Sequence, residues 1–525
     1  MLLDFSLKID EFENDVNQTL KFWTDSFNFI SHKHCPLVTK RIRKHKQPIW
    51  ITSEILDLMH RRDHTKSKGN HNEYKQMRNK CKIMVRDSKA KFYRNSIELC
   101  KNQPRELVKL FNELGVKDTS RYGINTIIHE EEVIENKKTM VNLFNTYFVN
   151  IGDKYTTENL YQGHCFDQTR LNTFIEQRVP IQNQFDIPLI NHQFVFKYIN
   201  EMKGNKATGH DDVSARFIKL TAPYITDSIV KICNCSIRTG SFPDKWKEAR
   251  VTPIHTKNSR EEISNYRPIS ILPIASKILE KHVSIHLYEY LTSHNLLHER
   301  QSGFRPNHSC ESALTLMMEE WHASLNSGHQ IGLLLIDLCK AFDLVNHKLL
   351  IKKLELYKCN TNTVIWFQSY INNRQQTVEI DKIKSNPLQI KSGVPQGSIL
   401  GPLLFLIFIN DIFLEDGLTD IDIFADDAVA VKLQECADSF QGWCLKNYMV
   451  LSVEKTKTLY ISSRQKVIQN RADNSSTKII LNNIEINEVD STKLLGIKIN
   501  NNLSWDGQVA QVKNMCPTDY RSLGK

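Results

Sequence analysis

The residues best suited to chemistry are two adjacent carboxylates, Asp426 and Asp427. Residues that favour β-strands flank the pair on both sides over residues 421–431, a pattern that predicts a tight hairpin with the acids at its tip. Because successive strand residues face opposite sides of a sheet, the two acids can share one site only at a turn. Adjacent anions repel each other, and a divalent cation relieves that repulsion. Solvated turns also contain such pairs, so this pair alone does not separate a metal site from an ordinary turn.

A third acid, Asp337, follows an apolar run over residues 333–336 that is typical of a strand buried on both faces. This order places Asp337 at the carboxyl end of the strand, where ligands gather in α/β sheets. The alternative is that Asp337 caps the helix predicted over residues 340–350. The similar surroundings of Asp337 and the hairpin favour one shared acidic site.

Between these acids lies a turn-rich segment, residues 392–402, with three glycines and two prolines, before an apolar helix predicted over residues 403–413. With Asp-x-x-x-Ala-Phe-Asp upstream and Phe-Ala-Asp-Asp downstream, the sequence resembles a reverse transcriptase of a non-LTR (LINE-type) retrotransposon, of the jockey-like group. Further matching motifs are residues 206–211, 242–246, 265–270 and 301–305, Trp443 with Asn447, Lys455 with Thr456, and residues 494–497. The resemblance extends over about residues 195–500, with a weaker match over about residues 48–125.

The resemblance implies an α/β right-hand polymerase fold, with fingers, palm and a vestigial thumb, preceded by a helical N-terminal extension. The palm should contain an antiparallel sheet backed by helices. The predicted domains are a basic helical extension or linker (1–125), a connector packed against the fingers (126–190), fingers (191–318), the palm or reverse transcriptase core (319–500) and a truncated thumb remnant (501–525).

The same resemblance implies RNA-directed DNA polymerisation, with an RNA template, a DNA primer and dNTPs as partners. Asp337, Asp426 and Asp427 would hold two Mg²⁺ ions, for which Mn²⁺ could substitute, and Asp426 would be the stronger hairpin ligand. Lys455 would act as the catalytic proton donor to pyrophosphate. Ser452 stands where the family usually has asparagine, which puts the backbone hydrogen bonding near Lys455 in question.

Five further residues are implied to contact the incoming nucleotide: Arg267, Lys277, Phe342, Gln396 and Gly397. The two cations would bind the triphosphate, and each has the alternative of being an ordinary surface charge. The Phe342 ring would exclude a 2′-hydroxyl and so select deoxynucleotides, unless it only packs in the core.

The net charge of +10 is concentrated in one segment. Residues 40–94 contain seventeen Lys/Arg against five Asp/Glu, a surplus of +12, so the remainder of the chain sums to −2. Helical spacing over residues 53–62 and 73–93 predicts basic helices that contact a nucleic-acid backbone, the alternative being a solvated helix face. The predicted nucleic-acid contacts are Arg41, Arg43, Lys44, Lys82 and Arg86 here, and Arg305 in the fingers.

Composition places few constraints beyond this. No apolar run is long enough to cross a bilayer, and acidic residues interrupt the amino terminus, so neither a membrane span nor a secretory signal is expected. Twelve cysteines without paired zinc spacing predict reduced thiols in an intracellular protein, and the resemblance implies the nucleus. Residues 1–39 and the oligomeric state stay unassigned.

Three departures from the family bear on activity. Sixteen positions separate Asp427 from Trp443, which predicts little room for a full helix where the family has one longer by about three turns. We also expect no complete thumb after Asn500, and neither an endonuclease domain nor a cysteine/histidine knuckle. Two hypotheses follow: a reverse transcriptase, in an intact or degenerate form, or a nucleic-acid-binding remnant without catalysis. A nucleotidyl cyclase is disfavoured because it needs neither the Arg-Pro-Ile-Ser nor the Pro-Gln-Gly motif.

Overall fold

The computed structural model describes residues 14–36, 48–101, 103, 106, 110, 123–152, 165–256, 258–418, 421–431, 433–462 and 478–515. The chain forms two compact units. The larger contains residues 1–34 and 123–515, and the smaller contains residues 35–122 and 516–525.

The helices are α1 (Val16–His34), α2 (Ser53–Ser67), α3 (His71–Leu99), α4 (Lys137–Val149), α5 (Gln168–Glu176), α6 (His192–Glu201), α7 (Ala215–Thr239), α8 (Ser276–Ser293), α9 (Cys310–Asn326), α10 (Ala341–Leu344), α11 (His347–Leu356), α12 (Thr361–Ile371), α13 (Gly401–Ile409), α14 (Leu433–Lys446) and α15 (Asp506–Met515). Short 3₁₀ turns span Asp244–Lys247, Ile263–Asn265 and Asn410–Leu414.

The strands are β1 (Ile127–His129), β2 (Glu132–Ile134), β3 (Glu248–His255), β4 (Tyr266–Ile271), β5 (Ile331–Asp337), β6 (Gln375–Ile380), β7 (Ile383–Lys384), β8 (Leu388–Gln389), β9 (Ile421–Phe424), β10 (Asp427–Ala430), β11 (Lys457–Ile461), β12 (Ile480–Leu481), β13 (Ile484–Glu485), β14 (Asn487–Glu488), β15 (Ser491–Leu494) and β16 (Ile497–Asn500).

A five-stranded sheet in the order β14-β11-β5-β10-β9, here called the palm sheet, carries the predicted acids. Its pairs are antiparallel except that of β11 with β14. Along the central strand β5, Ile331 and Leu333 pack with α9, whereas Leu334 and Ile336 belong to the main core with α13 and α14. The structure thus confirms a β5 strand buried on both faces and an antiparallel palm sheet backed by helices.

A second sheet, here called the finger sheet, has the order β4-β3-β6-β7, with β8 also paired to β6. Its strands β6 to β8 come from the middle of the predicted palm interval and join β3 and β4 from the predicted fingers. The predicted contiguous palm over residues 319–500 therefore differs from the structure. The sequence did not indicate this, because the β3–β6 pairing is long-range and is not visible in local periodicity. Helix α4 packs on this sheet, where the Gln376 Nε2 donates to Asn145 Oδ1 at 3.0 Å.

The amino-terminal helix α1 belongs to the larger unit. Trp23 is 2% exposed and its Nε1 donates to Ser228 Oγ of α7 at 2.8 Å. The prediction of one N-terminal extension over residues 1–125 therefore differs from the structure. Helix α1 belongs to the larger unit, whereas the basic helices belong to the smaller one.

The smaller unit contains the two predicted basic helices, α2 and α3, which pack against each other. Thr52 caps α2 by accepting from the Ile55 N–H, and Asn70 caps α3 by accepting from the Glu73 N–H. Trp50 packs against Tyr93 with ring centroids 5.7 Å apart. The prediction of ordered helices in this basic segment is confirmed.

Residues 132–149 form a strand, β2, followed by α4, because Asn136 caps a new helix there. One local prediction needs correction. The segment after the acidic hairpin holds a 14-residue helix, α14, which is about four turns. The prediction that this interval leaves little room for a full helix is therefore wrong, because β10 ends at Ala430 and α14 begins at Leu433. In the described part of the chain, no helix is long and apolar enough to cross a membrane.

Candidate active site

The predicted hairpin forms with its acids at the tip. Strands β9 and β10 pair with Phe424 opposite Asp427, which leaves a two-residue turn of Ala425 and Asp426. Ala425 has φ +61°, a conformation that favours glycine and costs a residue with a side chain on the order of 1 kcal/mol. The turn therefore persists because surrounding contacts hold it.

Asp337 lies directly across from this hairpin. It is the last residue of β5, and its Cα partner in the antiparallel ladder is Asp427. Directly opposed residues project from the same face of a sheet, with Cα atoms about 4.5–5.5 Å apart. The structure thus brings Asp337, Asp426 and Asp427 into one neighbourhood although about 90 residues separate the strands.

Lys455 neutralises part of this acidic cluster. Its Nζ donates to Asp337 Oδ2 at 2.8 Å, while the lysine side chain stays 56% exposed. The segment that carries Lys455 is fixed to the strand end, since the Ser452 N–H donates to the Asp337 carbonyl at 2.9 Å and the Thr456 N–H donates to the Ser452 carbonyl at 2.8 Å. Serine at position 452 therefore makes these backbone hydrogen bonds without the side chain usual in the family.

Mutual repulsion is visible in the proton affinities of the acids. The pKa of Asp427 is raised to about 6, first by partial desolvation and then by the charges of Asp426 and Asp337. Burial also raises the pKa of Asp426, with the charge of Asp337 in support. Because the Asp427 side chain is exposed, solvent moderates this effect, but a nearby cation would still lower both pKa values.

The donor set suits a hard divalent cation, which prefers carboxylate oxygens. Within the described ranges, however, no three His, Cys, Asp or Glu side chains already surround a point that could hold one ion. The expected convergence of three acids is met by the backbone register and not by the side chains, because Asp337 is turned to Lys455. An ion at this site would have to compete with the lysine.

A buried ion pair fixes the helix that leads from the hairpin to Lys455. Lys353 is 0% exposed, and its Nζ donates to Asp411 Oδ1 at 2.8 Å and to Asn447 Oδ1 at 2.6 Å. Trp443 Nε1 donates to the same Asp411 oxygen at 3.1 Å. Trp443 and Asn447, at the end of α14, thus hydrogen-bond to the buried Lys353–Asp411 ion pair. Loss of one partner of such a pair is strongly destabilising. Lys353 and Asp411 were missed in the sequence because neither lies in a recognised motif.

The Pro-Gln-Gly turn lies against the finger sheet and the palm together. The Ser270 N–H of β4 donates to the Gln396 carbonyl at 2.8 Å, and the Gln396 Nε2 donates to Asp343 Oδ1 at 2.7 Å. Gly397 has φ +132°, and a Cβ there would lie 2.2 Å from the Ser270 carbonyl oxygen. Burial raises the pKa of Asp343 to about 6. The observed role of this acid is to accept the hydrogen bond from the turn.

The two predicted triphosphate cations have different surroundings. Arg267 is exposed on β4, and its charge lowers the pKa values of both hairpin acids, which places it near them. Lys277, at the start of α8, is half-buried, and its charged neighbours are Glu280 and Lys206. The structure groups Arg267 with the acids and gives Lys277 a different environment.

Phe342 is both a core and a surface residue. Its ring stacks on the buried Phe405 at 4.3 Å and meets the exposed Phe304 edge-on at 5.5 Å. The side chain is half-buried, so packing on Phe405 leaves part of the ring accessible, and selection of deoxynucleotides by Phe342 stays a prediction.

The predicted nucleic-acid contacts are distributed as follows. Arg41, Arg43 and Lys44 lie outside the described residues. Lys82 and Arg86 are exposed on α3. Arg305 is half-buried and its Nη1 donates to the carbonyls of His298 and Gln301, at 2.8 and 3.1 Å, which makes it part of its own loop.

The chain is similar in sequence to RNA-directed DNA polymerases of mobile elements. The family described as reverse transcriptase (RNA-dependent DNA polymerase) matches residues 254–499. The chain is 28% identical over 355 residues to the RNA-directed DNA polymerase from mobile element jockey of Drosophila melanogaster, covering 64% of this chain and 38% of that protein. It is 25% identical over 351 residues to the probable RNA-directed DNA polymerase from transposon X-element of the same fly, covering 63% and 37%.

A solved RNA-dependent RNA polymerase of a human picorbirnavirus has a TM-score of 0.38 and 12% identity, covering 70% of this chain and 68% of that one. At that level the fold assignment rests on the family match and the palm sheet, which confirm the predicted α/β polymerase fold. The chain spans less than two-fifths of the curated relatives it matches. Within that span, residues 254–499 match the reverse transcriptase family, and the matched relatives are RNA-directed DNA polymerases of mobile elements.

Proposed function

We propose that the chain is an RNA-directed DNA polymerase that adds dNTPs to a primer 3′-hydroxyl on an RNA template. The observation that carries the proposal is the register that sets Asp427 opposite Asp337, with Lys455 bridging to the latter. Acids at one strand end and on the neighbouring hairpin are the arrangement that two-metal nucleotidyl transfer requires.

Asp337, Asp426 and Asp427 would hold two Mg²⁺ ions, and Mn²⁺ could replace them because both prefer oxygen ligands. Bound there, the ions would lower the pKa of the attacking hydroxyl and stabilise the leaving oxygen. Asp337 and Asp427 project from one face of the palm sheet, whereas Asp426 sits in the turn between β9 and β10.

Lys455 would have two successive roles. It pairs with Asp337, and on leaving that carboxylate it would turn toward the departing pyrophosphate and donate a proton to it. Its 56% exposure and four-carbon side chain allow this reach.

The nucleotide would lie between the finger sheet and the palm. Arg267 would contact the triphosphate, because it is exposed and close to the acids. The Phe342 ring, held by Phe405, would face the sugar and disfavour a 2′-hydroxyl. Gln396 donates to Asp343, and Gly397 lies against the Ser270 carbonyl, so we assign both to shaping the turn.

Template RNA would bind along α3 as well. Five exposed cations recur at three- and four-residue intervals, namely Lys75, Arg78, Lys82, Arg86 and Lys89. At about 100° per residue they fall within an arc of about 80° and extend along about 21 Å of the helix. The helix's acids, Glu73, Asp87 and Glu98, are centred on the other side of α3, and Asp87 reaches the edge of the row, where it accepts from Arg86 Nε at 3.4 Å. We call the five cations the α3 stripe, and its excess of positive charge favours phosphate contact over a mixed solvated face.

The second candidate function is nucleic-acid binding without catalysis. It is favoured by the α3 stripe, which is independent of the acids. Both functions need RNA, and for both we propose action inside the cell, in the nucleus, where a retrotransposon's target DNA lies.

The catalytic proposal predicts that Asp337→Asn lowers primer extension by at least about 1,000-fold, since one carboxylate of the site is lost. RNA affinity should change by less than about twofold, because the α3 stripe is untouched. Homopolymer-primed dTTP incorporation and filter binding measure the two quantities. Asp438→Asn, which neutralises an exposed acid on α14, is the matched control and should extend primers at the wild-type rate. Extension by Asp337→Asn near that of the control would overturn the metal assignment, whereas RNA binding with no extension by the wild type would favour the second candidate.

The raised pKa of Asp427, about 6, predicts a pH-dependent affinity for Mn²⁺. Above pH 7 the acid is ionised and the affinity should be constant, whereas below pH 6 each bound ion must displace a proton and the affinity should fall by about tenfold per pH unit. Titration calorimetry between pH 5 and 8 checks this. In Asp427→Asn the affinity should be weak throughout and lose most of this slope. A wild-type affinity that is equal at pH 5 and pH 8 would contradict the assignment.

The α3 stripe predicts a specific salt dependence of RNA binding. Replacing Lys75, Lys82 and Lys89 with Gln should reduce the slope of log K against log salt by about 2, at ~0.7 per lost contact with a single strand. The control replaces Lys80, Lys91 and Arg94, which removes the same charge from the side of α3 that carries the acids. It should change the slope by less than about 0.5. Equal losses in both variants would show general charge attraction instead of a defined stripe.

A further inference from the structure

A loop from the fingers runs along the outer edge of the catalytic hairpin. We call residues 298–305 the finger strap. The Ile423 N–H donates to the Arg300 carbonyl at 3.0 Å, and the Ser302 N–H donates to the Ile423 carbonyl at 2.9 Å. The strap therefore pairs with β9 in parallel at Gln301 and covers an otherwise open edge of the palm sheet.

Gln301 extends this pairing to the turn itself. Its side chain is 0% exposed, and its Oε1 accepts from the Gly303 N–H at 2.9 Å and from the Ala425 N–H at 3.3 Å. Ala425 is the residue with φ +61° that precedes Asp426. A single carboxamide oxygen thus joins the strap to the strained residue beside the acids.

Two other features make the strap a close-fitting support. A Cβ at Gly303 would lie 2.2 Å from the Ala425 nitrogen, so only glycine allows this approach. Arg300 Nη1 reaches across β9 to Asp422 Oδ2 at 3.1 Å, and the same guanidinium bonds Glu320 of α9. The strap is held on both sides of the Gln301 contact, and this rigidity is what a positioning role needs.

We propose that Gln301 is a positioning residue for nucleotidyl transfer, acting through Ala425 to fix the conformation of Asp426 and Asp427. The inference rests on the proposed polymerase function and adds a residue that neither touches substrate nor binds an ion. Without the carboxamide oxygen, two buried N–H groups lose their acceptor and the strained turn relaxes. Asp426 and Asp427 would then keep their charges, but their carboxylates would no longer be held in position.

The test compares two variants of the full chain. Gln301→Met keeps the length of the side chain and removes the acceptor. Gln376→Met is the matched control, because Gln376 is also buried, at 6% exposure, and hydrogen-bonded, to Asn145 of α4.

The first measurement is hydrogen exchange of the peptide covering residues 421–431, by mass spectrometry without substrate. We expect Gln301→Met to accelerate exchange there by about tenfold or more, and Gln376→Met to leave it near wild type. Unchanged exchange in Gln301→Met, or equal acceleration in Gln376→Met, would overturn the proposal. Because this measurement needs no turnover, it decides the point even for a chain that extends no primer.

The second measurement separates placement from binding. Gln301→Met should lower kcat on the order of 100-fold, as misplacement of about 1 Å does, with the KM for dTTP changed by less than about threefold. Gln376→Met should leave both parameters near wild type. A Gln301→Met variant that raises KM and leaves kcat unchanged would contradict a positioning role. Failure of the polymerase proposal would differ, since the wild type itself would then be inactive.

Discussion

Repulsion between neighbouring carboxylates is the constraint around which the larger unit is built. Asp337 and Asp427 face each other across a ladder, with Asp426 in the turn beside them. Burial, reinforced by these neighbouring charges, raises the pKa values of both hairpin acids. Such a cluster is unfavourable by itself, and in this structure Lys455 offsets part of the repulsion. The same charge density would attract divalent cations, so the cost to stability and the proposed capacity for catalysis have one origin.

Supports from distant parts of the chain hold that cluster in place. Lys455 and Asp337 are 118 positions apart, and Gln301 and Ala425 are 124 apart. A third support, the buried Lys353–Asp411 pair, ends α14 and so fixes the segment that carries Lys455. Because each contact is long-range, the site exists only when fingers and palm have folded together. We therefore expect the site to be disturbed by substitutions, such as those in the strap, that touch none of the acids.

Local pattern predicted much of this. The apolar run before Asp337 identified β5, the β-favouring residues around the acids identified the hairpin, and the basic spacing identified α2 and α3. The sequence did not predict features that depend on tertiary contacts. Strands β6 to β8 belong to the finger sheet, α1 belongs to the larger unit, and α14 lies in an interval predicted to be too short for a full helix. Gln301 was visible within a motif, but its role was not, because a buried carboxamide reveals its function only through its two partners. The side-chain orientation of Asp337 was also beyond sequence, since it depends on where Lys455 lies.

Iron-mediated cleavage tests the proposed cation site of Asp337, Asp426 and Asp427 most directly. Fe²⁺ replaces Mg²⁺ at oxygen sites, and peroxide then cuts the backbone beside the bound ion. We expect two cuts in the wild-type chain, one near Asp337 and one near Asp426, both suppressed by excess Mg²⁺ and both lost together in Asp427→Asn. Cuts at only one of the two positions, or cuts that excess Mg²⁺ does not suppress, would contradict a shared site.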